Sequence, residues 1–168
     1  MKHYQVLALS AVVAGIMLWG CSNSTGTGPA ALTTTEMIGK WVFNSLHETG
    51  TTTMHLGIPG IPDSTFHVDS TVTLSGGANY AQLYSDMTYA SKMPAITSTG
   101  GSSSDTGSWS LSGSNLRLIS TAGDTTNLSV SVSGNNGTFV NTTSERMDLG
   151  NGAYVQTNMT ATVSATKQ

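Results

Sequence analysis

The 168-residue sequence predicts an all-β domain, an antiparallel meander of about eight to ten short strands, carried behind an N-terminal export signal. Three observations predict it. Ser and Thr fill 49 positions beside 19 Gly, while Lys, Glu and Ala are scarce, a composition that favours strands and turns over helices. From Gly39 onward apolar and polar residues alternate with period two. Tight-turn signals recur every 8–12 residues or so, as short antiparallel connections require.

The elements follow in chain order. Residues 1–20 run from a polar start with Lys2 through an apolar stretch, Val6 to Trp19, and end at Gly20, directly before Cys21. This is a signal peptide rather than an anchor, because a helix crossing the ~30 Å hydrocarbon core needs about 20 apolar residues. Leu18-Trp19-Gly20-Cys21 resembles the bacterial lipobox, with an aliphatic residue three positions before the Cys and a small one directly before it; Trp19 departs from the pattern. The resemblance implies that Cys21 becomes the acylated first residue of the mature chain, which explains why the single Cys sits here. Acyl chains contribute ~0.8 kcal/mol per buried CH₂, so several of them hold a protein on a bilayer. Ser22 after the Cys is similar to the pattern sorted to the outer membrane. Without a second Cys there is no disulfide, and stability falls to the core.

Residues 21–32 form the lipidated linker, in which Ser22 to Ala31, of Gly/Ser/Thr composition, hold nothing to bury. Thr33 to Ile38 offers a Thr cap, an acidic first turn and two apolar residues, enough for one helical turn. The strands are then expected at 39–47, 51–56, 64–74, 78–84, 86–90, 107–111, 115–120, 125–133, 137–142 and 153–163. In the third, Phe66, Val68, Val72 and Leu74 alternate with Thr65, His67, Asp69, Thr71 and Thr73; in the last, Val155, Met159, Ala161 and Val163 alternate with polar residues. Gly76-Gly77, Ser112 to Asn115, Gly134 to Gly137 and Asn151-Gly152 mark turns. Ser98 to Gly107 reads as a low-complexity loop. Gly57-Ile58-Pro59-Gly60-Ile61-Pro62 puts apolar side chains on a hairpin tip, suited to a lid or a partner contact. So many one-sided strands close as a barrel or pack as a sandwich.

Gly39-Lys40-Trp41 opens the first strand after a helical turn, and Gly107-Ser108-Trp109 recurs in mid-chain ahead of Leu116-Arg117-Leu118-Ile119. Together with the meander, this resembles the lipocalins, and more closely the bacterial lipocalin-like lipoprotein domains; the likeness covers residues 33–164 of a domain expected at 33–168. The resemblance implies an up-and-down barrel of about eight strands with a cup for a small apolar molecule. It further implies that Trp41 plugs the closed end under a basic residue from a late strand, with Arg146 the first candidate and Arg117 the second.

Charge and motif content narrow the function. With 9% charged residues, 6 Lys+Arg against 9 Asp+Glu, no basic surface exists for nucleic acid. Counting from Cys21, five basic and nine acidic residues leave side chains at −4. His55, His67 and Asp69 are a metal-ligand set in kind, yet both His alternate with apolar neighbours and so face solvent. His47 shares parity with Trp41 and Phe43 and is expected at an inward rim. No Gly-x-Ser-x-Gly elbow occurs, and acidic residues such as Asp63, Asp105, Asp124 and Asp148 fall at turns and polar faces rather than flanking a cleft. Sequons at Asn127, Asn136, Asn141 and Asn158 follow from composition. Phe43, Tyr80, Tyr84, Met87 and Trp109 are the candidate ligand-lining residues, from an aromatic and Met cluster that also holds Tyr89 and Met93. The sequence therefore points to a non-enzymatic bacterial envelope lipoprotein, without cofactor or metal, attached to the bilayer through Cys21 and binding a small apolar or amphipathic ligand. The alternative is a structural or adhesion β-domain recognising protein or polysaccharide.

Overall fold

The computed structural model describes residues 32–74, 77–93 and 103–168. The signal segment, Cys21, the linker up to residue 31, Gly76 of one predicted turn and the first part of the predicted 98–107 loop lie outside the described residues.

The chain enters through one helical turn, α1 (Thr34–Met37). Thr33 caps it reciprocally: its hydroxyl accepts the Glu36 N–H at 3.4 Å, and the Glu36 carboxylate accepts the Thr33 N–H at 2.7 Å. Those hydrogen bonds hold the Glu36 carboxyl below its ordinary range. Nine strands follow among the described residues: β1 (Gly39–His55), β2 (Ser64–Thr73), β3 (Tyr80–Leu83), β4 (Thr88–Met93), β5 (Ser103–Ser112), β6 (Asn115–Ser120), β7 (Thr125–Ser133), β8 (Asn136–Gly150) and β9 (Ala153–Lys167).

From β3 each strand pairs antiparallel with the next, and β9 returns to β1 along Trp41 to His55. The lower end of β1 pairs β3 through Gly39 to Val42. Strands β1 and β3–β9 thus close an eight-stranded antiparallel barrel, an architecture compatible with the lipocalin-like fold. β2 stands outside the ring, paired with the upper part of β1 from Ser45 to Met54.

Strand lengths set the shape. β1, β8 and β9 run 17, 15 and 15 residues, whereas β3, β4 and β6 run 4, 6 and 6. The tall strands rise past the short ones, and with β2 they form a four-stranded sheet, β2-β1-β9-β8, that continues one wall upward from the barrel. Inside the barrel, Trp41, Phe43, Leu46, Leu83, Tyr89, Trp109, Leu116, Val130, Phe139, Val163 and Ala165 form one buried cluster with Met37 beneath.

Three expectations need correction. Gly50 does not break the first strand; a Cβ there would collide with the Asn158 carbonyl oxygen and Met159, so the glycine lets β1 lie close against β9 and run on. Residues 103–107 are not loop but the first half of β5, paired with β4. β8 continues beyond 142 to Gly150, because β9 supplies a partner throughout.

A β-bulge at Asn44 carries the largest consequence. Phe43 opposes Ala165 and Ser45 opposes Ser164, so one residue of β1 is extra and the alternation flips. Leu46 therefore turns inward, buried at 4% exposure, and His47 turns outward, reversing the inward orientation that parity with Trp41 and Phe43 predicts.

Candidate functional site

Inward-facing residues of the barrel alternate along each strand, and above the packed base they leave a cavity of about 360 Å³. Phe43, Leu46, Leu83, Met93, Leu116, Leu118, Leu128, Phe139 and Val163 give it apolar walls, and Ser91, Asp105, Thr126 and Asn141 supply the polar groups. The volume lies in the ~300–1,000 Å³ span of small-molecule sites, and an apolar lining with few convergent polar groups is their usual chemistry. A broader depression of about 640 Å³ on the outer wall, lined by Tyr84, Thr88, Ala90, Ser108 and Ile119, is shallow and holds no charged group. The cup is the candidate site.

Both tryptophans seal the base. Trp41, fully buried, donates its indole N–H to the Met37 carbonyl at 2.8 Å and meets Phe139 edge to face at 5.6 Å. Trp109 donates to the Tyr84 carbonyl at 3.1 Å, tying β5 to the β3–β4 turn. The basic group over Trp41 is Lys167 of β9, its Nζ 5.6 Å from the ring centroid and 2.7 Å from the Glu36 carbonyl oxygen. Arg146, expected in that place, stands instead on the outer face of the projecting sheet. It lies 3.8 Å over the Tyr154 ring and pairs Asp148 at 2.9 Å, because β8 runs upward past the barrel and carries it away from the base. Arg117, the second candidate, is exposed between the inward Leu116 and Leu118.

Of the predicted ligand-lining residues, Phe43 lines the cup. Trp109 is buried at the base and is not part of the cavity wall. Tyr80, Tyr84 and Met87 do not line it. Tyr80 opposes Val42 on the outer face under Lys40; Tyr84 and Met87 occupy the turn between β3 and β4, where the Tyr84 N–H bonds the Thr88 carbonyl at 2.9 Å and Met87 takes φ 65°. Leu83 and Tyr89, symmetric about that turn, face inward instead.

Asp105 is the functional residue that sequence reasoning misplaced. It opposes Ser91 from the upper part of β5 and faces the cup, so it is no loop carboxylate. Its Oδ2 accepts the Tyr89 hydroxyl at 2.5 Å and its Oδ1 accepts the Thr106 N–H at 2.8 Å. Burial first, and the facing Asp105 second, push the Tyr89 phenol well above its ordinary value near 10. The signal was present in the alternation of Asp105, Gly107 and Trp109 on one side of the strand.

The histidine set is divided. His55 Nδ1 lies 2.6 Å from Asp63 Oδ1 and its ring stacks on Tyr154 at 4.8 Å. His47 bonds the Thr71 hydroxyl at 2.8 Å with Asp69 at 3.9 Å, while His67 opposes Thr51. Among the described residues no three His, Cys, Asp or Glu side chains converge. Comparison of the chain with protein-family models, with curated proteins and with solved structures gave no match.

Proposed function

We propose that this protein is a bacterial envelope lipoprotein, held on the membrane, with outer-membrane sorting, through acylated Cys21, whose barrel carries a small apolar or amphipathic molecule without transforming it. The observation that supports carriage is the cup: a barrel interior packed at ordinary core density leaves no void larger than a water, whereas this one keeps about 360 Å³ between Phe43, Leu118, Leu128 and Phe139. The lipobox-like Leu18-Trp19-Gly20-Cys21 and the Gly/Ser/Thr linker support the anchoring.

Native mass spectrometry tests the reading. Among the described residues the buried core lies between Met37 and Ala165, and residues 31–168 form one compact unit. Purified gently from the native host, they are expected to carry an extractable mass in stoichiometric amount. A bare polypeptide that takes up no lipid fragment would refute carriage.

A second reading, a non-enzymatic β-domain that recognises protein or polysaccharide, is favoured by the projecting sheet. Its inner face presents Phe66 at 59% and Met147 at 61% exposure beside Met54, with no second layer among the described residues. Replacing Phe66, Met54 and Met147 by Ser leaves cargo loading intact on the first reading and abolishes partner capture on the second.

A further inference from the structure

The cup holds one charge, and it is negative. Asp105 stands in its wall; one carboxylate oxygen already takes the Tyr89 hydroxyl and the other the Thr106 N–H. A carboxylate offers about four acceptor sites, so about two remain unused on a side chain that lines the cavity. No cation faces it. By strand alternation Lys40, Lys92, Arg117 and Arg146 point outward, as do His47, His55 and His67, and Lys167 is spent at the closed base on the Glu36 carbonyl. Residues 75–76 and 94–102 contain no Lys, Arg or His in their sequence. Glu48 reinforces the sign: it opposes Ala161, a wall residue, on the inward face just above the cup.

The donors available inside are weak or committed. The Tyr89 hydroxyl is engaged by Asp105 and the Asn141 amide gives one of its two N–H donors to the Asn127 carbonyl at 3.0 Å, which leaves only neutral donors, the second Asn141 N–H and the hydroxyls of Ser91 and Thr126. An anionic head drawn into this space would lose its hydration, meet a like charge and find no cation. A donor head meets a charged acceptor with open lone pairs, the stronger kind of hydrogen bond.

We infer that the cup selects an amphiphile whose polar end donates hydrogen bonds, an alcohol or a protonated amine, and discriminates against the carboxylate of the same chain length. The inference rests on the carrier reading above and sharpens it. Residues 31–168 are loaded with the neutral fluorophore N-phenyl-1-naphthylamine, which is then displaced by dodecan-1-ol, dodecylamine or dodecanoate, each below its micellar concentration at neutral pH. The alcohol and the amine are expected to act at concentrations at least tenfold lower than dodecanoate. Asp105→Asn should erase the amine's advantage and bring dodecanoate close to the alcohol. Ser91→Lys, which sets a cation directly opposite Asp105, should shift preference toward dodecanoate and serves where the Asn variant does not fold. Dodecanoate binding as well as the other two, or a preference for the amine that Asp105→Asn leaves unchanged, overturns the inference while leaving the cup as a carrier. A fluorophore that does not bind, or whose binding ignores the cup-filling Ala161→Phe, overturns the carrier reading itself.

Discussion

Gly137→Ala should destabilise the barrel although it adds only a methyl group to a strand. Gly137 is an inward position of β8 opposite Ala165, and a Cβ there would lie 2.6 Å from Trp41 Cζ3, 3.0 Å from Cε3 and 3.2 Å from Phe139 Cε2. The ring must move by roughly 0.8 Å to reach ordinary contact, and it has nowhere to go. Trp41 is fully buried, its N–H is fixed on the Met37 carbonyl, Phe139 meets its edge and Lys167 covers its face. Overpacking of this kind costs about 1–3 kcal/mol, while removing a glycine from the unfolded ensemble returns about 0.4–1 kcal/mol. Taken at the middle of both ranges, the net loss is about 1 kcal/mol, a fall in Tm of roughly 3–5 °C for a domain of this length. Urea unfolding followed by far-ultraviolet circular dichroism measures it without relying on Trp emission. Trp41→Phe removes the two closest atoms that the new methyl meets and leaves Phe139, so in that background Gly137→Ala should cost much less, a coupling of about 1 kcal/mol. A neutral or stabilising Gly137→Ala, or an equal loss in both backgrounds, would refute the reasoning.

Lys167→Met should lower stability by about 1 kcal/mol and shift Trp41 emission, since it removes the cation over the ring and the donor to Glu36, whereas Arg146→Met should leave that emission unchanged. Tyr89 should resist ionisation well beyond the ordinary phenol range in an ultraviolet alkaline titration, and Asp105→Ala should bring it part of the way down, burial retaining the rest. Because the folded phenol's pKa is raised, the stabilisation linked to it is fully present below the ordinary value near 10 and is lost as pH rises through the higher folded value. Cys21→Ser in the full chain should release the protein from the membrane pellet; continued sedimentation with membranes would refute lipid anchoring.

What the sequence revealed depended on whether a local rule survived contact with its neighbours. The alternation at 125–133 became β7 with its predicted bounds, and 64–74 and 153–163 became β2 and β9, because one wet face and one apolar face leave little choice of register. Turn chemistry located the hairpins at Gly113 and Gly134, both at positive φ. The failures were non-local. Nothing near Asn44 announces a bulge; the inserted residue is defined by the offset between Phe43–Ala165 and Ser45–Ser164, more than a hundred positions away. Gly50 reads as a breaker in isolation and as a close-approach site once β9 lies beside it. Ser103 to Gly107 reads as a loop until β4 and β6 supply ladders for the strand it opens. The cup suffered accordingly: the aromatic cluster at 80–89 was visible, but which members point inward depends on where the turn falls, and it falls at 84–87.

The bulge also explains how one β1 serves two structures. Below Asn44 the strand pairs β3 and β9 and presents Trp41 and Phe43 to a closed interior. Above it β1 leaves β3, takes β2 as its new neighbour and keeps β9, so the wall continues as an open sheet. Without the extra residue, Ser45 and His47 would have taken the inward side, and Leu46, Met54 and the β2 row of Phe66, Val68 and Val72 would have turned to the outer face with them. The flip keeps Leu46 in the cup wall and sets the apolar faces of β1, β2 and β9 in line above it. The mouth of the cup therefore has Leu46 and Ala161 with Glu48 above them on its tall side and Asp105 and Ser91 on its short side. A head group at that mouth meets a carboxylate on either wall, Glu48 on the tall side and Asp105 on the short one, which is why the polarity of the head, more than the length of the tail, should decide what the barrel holds.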